Sequence, residues 1–170
     1  MTVRFDDNTS ATGNVLIGAD GIRSFVRSSY NGDDPIFSDQ VVVRNVVKAE
    51  AIPAKLTDCL IHGQIWLAPG KRHVVTFPID QGRSVAIGAI LPALPGYEWK
   101  ETWKIQGDVN FQESLETFDA PVRELFRCSD GQTIFGLYER IPLTSWTHGR
   151  IVLVGDAAHA MLPHQGRELC

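Results

Sequence analysis

Two stretches near opposite ends of the sequence carry an aspartate at the close of an apolar run. They are Val15-Leu16-Ile17-Gly18-Ala19-Asp20-Gly21 and Val152-Leu153-Val154-Gly155-Asp156. Each apolar run reads as a strand, and each glycine allows a ligand to approach the backbone closely. A carboxylate in that place only accepts hydrogen bonds, so it pairs with ribose or ribityl hydroxyls. Ligands of α/β sheets sit beyond the carboxyl ends of strands, where both turns fall. Singly, each turn has a plainer reading, because Asp after a strand also caps helices and forms turns. Two such turns bracketing a region of different character point to a ligand.

Histidine supplies the other candidate chemistry. His164 stands beside Pro163 just after the second turn, and His73 and Phe77 lie four apart on a predicted strand, so they share a face. A neutral imidazole near pH 7 suits general-base work, while a strand histidine facing solvent is the alternative for His73. Asp156, His159 and His164 do not have the i, i+4 spacing of a helical zinc pair, and Pro163 intervenes, which argues against a metal. Trp99 and Trp103 at i, i+4 read as core packing rather than a stacking platform. No Gly-x-Ser-x-Gly elbow occurs, so a serine hydrolase is not supported.

The elements that must position these groups change in kind along the chain. Thr2 to Phe5 and Thr12 to Ile17, with a polar turn between them, predict a β-hairpin, and a short helix follows with Ile22, Phe25, Val26 and Ser29 on one face. From about Gln40 to Leu143 the pattern is β-rich. Gln40 to Glu50 is strand-like, and Gln64 to Pro92 reads as an antiparallel meander with turns at Pro69-Gly70 and Asp80-Gln81-Gly82. Asp108 is a candidate N-cap for a helix with Val109, Phe111, Leu115 and Phe118, and Pro121 opens a second helix, Val122 to Cys128. Gly131 to Leu143 returns as a strand. Ile151 to Val154, without alternation, has the character of a central strand covered on both faces. The organisation is α/β, then a β-rich insertion with helices, then α/β again.

Bulk properties narrow the class. At 170 residues the chain is long enough for one domain or parts of two, and 44% hydrophobic with 21% charged residues is ordinary for a globular protein. A net charge of −4 with scattered Lys and Arg gives no electrostatic case for nucleic acid or anionic membrane. Cys59, Cys128 and Cys170 are far apart and suggest neither a disulfide framework nor a metal site. No run reaches the ~20 apolar residues of a membrane helix, and the first residues lack the apolar core of a signal peptide, so a cytoplasmic location is expected.

The stretches Gly18 to Arg27 (GADGIRSFVR) and Gly149 to Gly166 (GRIVLVGDAAHAMLPHQG) resemble the second and third signatures of the FAD-dependent aromatic hydroxylases, the single-component flavoprotein monooxygenases. Within that family the chain is most similar to salicylate-hydroxylase-like enzymes, and the similarity covers essentially residues 1–166. The fold class implied is α/β (α+β): part of an FAD-binding domain at 1–39, an inserted antiparallel β-sheet substrate domain at 40–143, and a further part of the FAD-binding domain at 144–170. The resemblance implies FAD as cofactor, NAD(P)H as co-substrate, and hydroxylation of a phenolic or aromatic acid substrate with dioxygen. It implies that Asp156 contacts the ribityl chain, with Gly155 permitting the approach. It sets Pro163, His164, Gln165 and Gly166 near the flavin ring, ahead of a helix whose positive end would favour an anionic reduced flavin. Asp20 and Gly21, with Arg23, Ser24 and Arg27, fall in a motif associated with FAD and reduced nicotinamide. Arg27 has two readings there, a cofactor contact or a pairing with a carboxylate that fixes the turn. The insertion is expected to roof the aromatic pocket, with His73 as a phenol-binding or deprotonating group. Related enzymes carry a tyrosine where this chain has Phe77, which leaves no hydroxyl for a proton relay there.

The family opens with a Gly-x-Gly-x-x-Gly turn that binds the ADP half of FAD, and no such motif occurs here. After Gly166 the expected second glycine pair and long helix are also absent from the sequence. The expectation is therefore exposed apolar surface, no tight FAD binding by this chain alone, and incomplete catalysis. The alternative is a non-catalytic fragment or interaction protein derived from such an enzyme, and a third is an unrelated nucleotide-binding module.

Overall fold

A computed structural model describes residues 1–94, 104–106, 111–129 and 131–165. Asp108, Val109, Trp99, Trp103 and Gly166, named above, lie outside the described residues. The chain divides into two compact units, one of residues 1–38 and 138–170, the other of residues 39–137. It is a mixed α/β fold.

The first unit starts with β1 (Thr2–Arg4) paired antiparallel to β2 (Ser10–Thr12), Val3 opposite Ala11. The expected second strand of this hairpin does not run on to Ile17. It ends at Thr12, and β3 (Leu16–Gly18) belongs to a different sheet, beside β11 (Ile151–Leu153). The break has a physical cause. The β1–β2 ribbon is nearly all exposed, whereas Gly18 is buried, so the two halves of the segment face different surroundings. β11 is central in its three-stranded sheet, flanked by the parallel β3 and by β10 (Thr147–His148), antiparallel. Val154, at its end, is exposed, and so is Ile17 on β3, so the sheet is not covered on both faces as the unbroken apolar run suggests.

The helix after the first turn is α1 (Phe25–Asn31). Ser24 caps it, its hydroxyl oxygen accepting from the Arg27 N–H at 2.9 Å, and Gly32 closes it in a left-handed conformation. Its buried face is not the expected one. Phe25 is 81% exposed, while Arg27 is completely buried and Val26 and Tyr30 pack toward Leu153, Ala157 and Ala158.

The second unit is built on a six-stranded sheet in the order β5-β6-β7-β4-β9-β8. Its strands are β4 (Ile36–Lys48), β5 (Gln64–Ala68), β6 (Arg72–Ile79), β7 (Ser84–Pro92), β8 (Lys104–Gln106) and β9 (Thr133–Glu139), of which β4 and β9 run into the first unit at their ends. The meander β5–β6–β7 forms at the predicted turns, with Asp80, Gln81 and Gly82 all at positive φ. One face of the sheet is a core of Val41, Val43, Val47, Val74, Val85 and Ile87. The other carries Ile65 and Leu67 into solvent, Leu67 at 82% exposure. Of the two predicted helices, the first is only α2 (Gln112–Leu115), and α3 (Ala120–Arg127) has Pro121 in its first turn and buries Val122 and Leu125. Among the described residues, no helix is long and apolar enough to cross a membrane.

Candidate functional site

The first unit brings the two glycine–aspartate turns to one end of a parallel strand pair. Leu16, Ile17 and Gly18 of β3 stand beside Ile151, Val152 and Leu153 of β11, running the same way. The Val154 N–H then donates to the Gly18 carbonyl at 3.0 Å, which carries the pairing to the strand ends. Gly18-Ala19-Asp20-Gly21 and Gly155-Asp156 therefore leave the sheet side by side, where α/β folds bind ligands.

Three glycines set the local shape, for two reasons. At Gly18 the constraint is packing: a Cβ there would lie 2.7 Å from Leu153 Cδ2 and 3.0 Å from Val26 Cβ, so α1 rests directly on the strand pair. At Gly21 and Gly155 the constraint is the backbone, at φ +76° and +58°, conformations that L side chains rarely adopt. At both, the space a Cβ would occupy is open. Gly155 thus turns the chain sharply at the end of β11 and leaves bare backbone facing outward.

The two aspartates behave differently. Asp20 serves the helix: one carboxylate oxygen accepts from the Ser24 hydroxyl at 2.5 Å, the other from the Val26 N–H at 3.1 Å. Burial pushes its pKa up, but the hydrogen bonds from Ser24 and Val26 outweigh this and hold it below the ordinary carboxylate value. The cap reading of Asp20 is thus what the geometry displays, with the carboxylate still exposed. Asp156 opens α4 (Asp156–His159), is exposed, and has no hydrogen-bond or ion-pair partner for its carboxylate among the described residues. Behind it Ala157 and Ala158 are buried against Leu153, so the turn is anchored on one side and open on the other.

Arg27 lies under this turn. Its Nη1 donates to the carbonyls of Ala157 at 3.4 Å and Ala158 at 3.0 Å, its Nη2 to the Ile141 carbonyl at 2.7 Å, and its Nε to Asp33 Oδ1 at 3.0 Å. Nη2 also pairs with Asp33 Oδ2. All five guanidinium N–H groups are thus matched by protein acceptors, which corresponds to the carboxylate-pairing reading. Asp33 falls in the polar stretch Tyr30 to Pro35, which reads from sequence as a solvated loop, yet it is only 16% exposed and pairs with Arg27 and the nearly inaccessible Arg140. The one available signal was an aspartate shortly after a helix carrying an arginine. Asp33 is drawn upward by burial and downward, more strongly, by hydrogen bonds from Arg27 and Asn31 and by the charges of Arg27 and Arg140, so its pKa falls to about 2. Burial lowers the pKa of Arg140.

Further along, Pro163 is half-buried and His164 exposed within a single 3-10 turn, Pro163–Gln165. Arg23 lies over the Tyr138 ring, 5.7 Å from its centroid. His73 and Phe77 belong to the second unit. Both lie on β6, on the open face of the sheet with Ile65 and Leu67, His73 opposite Leu67 and Ile90, and Phe77 opposite Ala86.

A buildable cofactor site follows from the donor set. An unpartnered, exposed, acceptor-only carboxylate stands one residue past a bare glycine at a strand end, beside a second such turn. That arrangement fits a polyol or ribityl chain laid across the strand ends.

Known proteins are similar to this chain in sequence and fold. The family described as FAD binding domain matches residues 3–167. A 3-amino-4-hydroxybenzoate 2-monooxygenase of Streptomyces platensis is 33% identical over 168 residues, covering 96% of this chain and 40% of that protein. A salicylate hydroxylase of Pseudomonas putida is 34% identical over 189 residues, covering 98% of this chain and 42% of that protein. A solved salicylate hydroxylase substrate complex superposes with a TM-score of 0.80 at 30% identity, over 98% of this chain and 44% of that one. The chain spans about 40% of the length of the curated relatives it matches.

Proposed function

The chain belongs to the FAD binding domain family, and on that footing we propose that it forms the flavin-contacting part of an FAD-dependent monooxygenase. That enzyme hydroxylates a phenolic or aromatic acid with NAD(P)H and dioxygen in the cytoplasm. The observation that carries the reading is Asp156, exposed and unpartnered at the end of β11, one residue after a glycine whose outer side is open.

Bound FAD supplies the redox and oxygen-activating chemistry. The chain's own residues bind and orient. Asp156 accepts hydrogen bonds from ribityl hydroxyls, and Gly155 keeps a side chain out of their way. Pro163 and His164 border the ring, with His164 as a polar group there. Asp20 and Gly21 shape the neighbouring turn, Asp20 by capping α1. Arg27 acts from beneath through the carbonyls of Ala157 and Ala158. His73 binds the substrate phenol or takes its proton, with Phe77 beside it on the same strand supplying apolar surface.

The relatives' names support an aromatic acid substrate: 3-amino-4-hydroxybenzoate and salicylate are both small hydroxylated benzoates. The test is a flavin-fluorescence titration of the chain with FAD, extended to millimolar concentration because tight binding is not expected. Weaker binding by Asp156→Ala is the predicted result, and identical titrations of both chains would overturn the reading. Product analysis of the longer polypeptide with salicylate and hydroxybenzoates then identifies the substrate.

A further inference from the structure

The first unit buries two guanidinium groups against a single carboxylate. The Arg27 side chain is completely inaccessible and that of Arg140 nearly so, while Asp33 between them is 16% exposed. Asp33 Oδ1 accepts from Arg27 Nε at 3.0 Å and from Arg140 Nη1 at 3.1 Å, and Oδ2 pairs with Arg27 Nη2. The charge of the neighbouring Asp34 also acts on Arg140, and main-chain carbonyls take up the remaining donors. Arg140 donates from Nε to the Ile22 carbonyl at 2.5 Å and from Nη1 to the Asp33 carbonyl at 2.8 Å. Arg27 donates to Ala157, Ala158 and Ile141.

The places those carbonyls occupy matter. Ile22 directly follows Asp20-Gly21, and Ala157 directly follows Gly155-Asp156. One arginine therefore grips the chain just after the first turn, the other just after the second, and Asp33 holds the two arginines together. The Arg140 N–H also donates to the Ala160 carbonyl at 3.1 Å, which ties the end of the second turn to the same cluster.

A buried ion pair is a poor device for stability alone, since apolar residues of similar volume usually serve as well or better. Its distinctive property is direction: a guanidinium fork fixes the angle and distance of each acceptor. We propose that Asp33, through Arg27 and Arg140, is a positioning residue that sets the spacing of the two glycine–aspartate turns and so the seat of the flavin. This rests on the reading that those turns bind FAD. The role assigned to the cluster is to hold the backbone of the two turns, through the carbonyls it grips.

The test compares the chain with its Asp33→Asn variant by two independent readouts. The first is hydrogen exchange, which needs no ligand. Amides of Ala158, His159 and Ala160, bonded within the second turn, should exchange faster by about tenfold, the scale of a lost hydrogen bond to a charged group. Amides of β6 and β7 should be unchanged. The second is FAD binding, expected about tenfold weaker, with the visible absorption bands of the flavin shifted at saturation. A general loss of stability with the turns intact does not shift those bands. Unchanged exchange at the turn in a folded Asp33→Asn chain overturns the proposal, and so does faster exchange with unaltered FAD affinity and spectrum. If the parent chain binds no FAD, the functional reading fails while the exchange readout still decides whether Asp33 holds the turn. If Asp33→Asn does not fold, Arg27→Lys replaces it, keeping the charge but not the fork that grips Ala157 and Ala158: faster exchange at Ala158 to Ala160 supports the proposal, and parent-like exchange overturns it.

Discussion

Arg27 Nη1 donates to the carbonyl oxygen of Ala158 at 3.0 Å, joining positions 131 residues apart in sequence. The same side chain pairs with Asp33, so the helix after the first glycine–aspartate turn is bound to the short helix that forms the second.

Removing this arginine should be severe. Arg27→Ala leaves the Asp33 carboxylate without its main partner and three carbonyls short of a donor, in a buried setting. The expected loss is about 3–5 kcal/mol, the usual cost of breaking a buried charged pair. Urea unfolding followed by tryptophan fluorescence measures it, in a background with Trp66, Trp99 and Trp103 replaced by Phe so that Trp146 of the same unit is the reporter. Arg27→Lys should recover only part, because an ammonium cannot reproduce the fork.

Asp156 should show the opposite profile. Its carboxylate has no protein partner among the described residues, so Asp156→Ala should change stability by no more than about 0.5 kcal/mol. FAD affinity should fall by about tenfold or more, as a charge-assisted hydrogen bond is lost. Unfolding curves and FAD titrations on the same preparation separate the two effects. A strongly destabilised variant would contradict the open geometry of the turn.

Acid should act on the first unit through Asp33. Its pKa is about 2 in the folded chain against an ordinary 3.8, so the folded state holds this proton less tightly than the unfolded state. The stabilisation is fully present above pH 3.8 and is lost as pH falls through about 2. The difference corresponds to roughly 2 kcal/mol. In Asp33→Asn this part of the acid dependence should vanish, which unfolding measured across pH 2 to 5 would reveal.

Two glycines should fail for separate reasons. Gly18→Ala drives a methyl into Leu153 and Val26 and should cost about 1–3 kcal/mol by overpacking. Gly21→Ala meets no neighbour and should cost only about 1 kcal/mol, from its positive φ. Trimming the neighbour tells them apart: Leu153→Val should relieve part of the Gly18→Ala cost and none of the Gly21→Ala cost.

Residues with regular periodicity were readable from sequence. The meander from Gln64 to Pro92 alternates, and its turns are marked by Pro69-Gly70 and Gln81-Gly82, so strands and register signals agree. Ile151 to Leu153 announced a central strand through its unbroken apolar character. The face of α1 is not legible from apolar spacing, which puts Phe25 inward, whereas pairing with Asp33 draws Arg27 in and leaves Phe25 out. The end of the first hairpin is not legible either, because Thr2 to Ile17 alternates locally and only the distant β11 decides that Leu16 to Gly18 pairs elsewhere. The glycine–aspartate turns were visible as a motif. Their difference in duty was not, since it depends on which carboxylate finds a donor after folding.

The parallel pairing of Leu16 with Ile151 also governs the order of events in folding. The first unit is made from two stretches far apart in sequence, residues 1–38 and 138–170, and its sheet closes only when a loop containing residues 39–137 has been brought round. An unstructured loop of that size carries a substantial closure entropy, which a folded intervening unit reduces by shortening the effective loop. The second unit, with hairpins between neighbouring strands, can form while the first waits. During synthesis the segment carrying β3 emerges well before Ile151, with Ile17 and Phe25 on show. This sets the interval in which a chaperone can engage it and in which misassembly competes with β11 for the edge of β3.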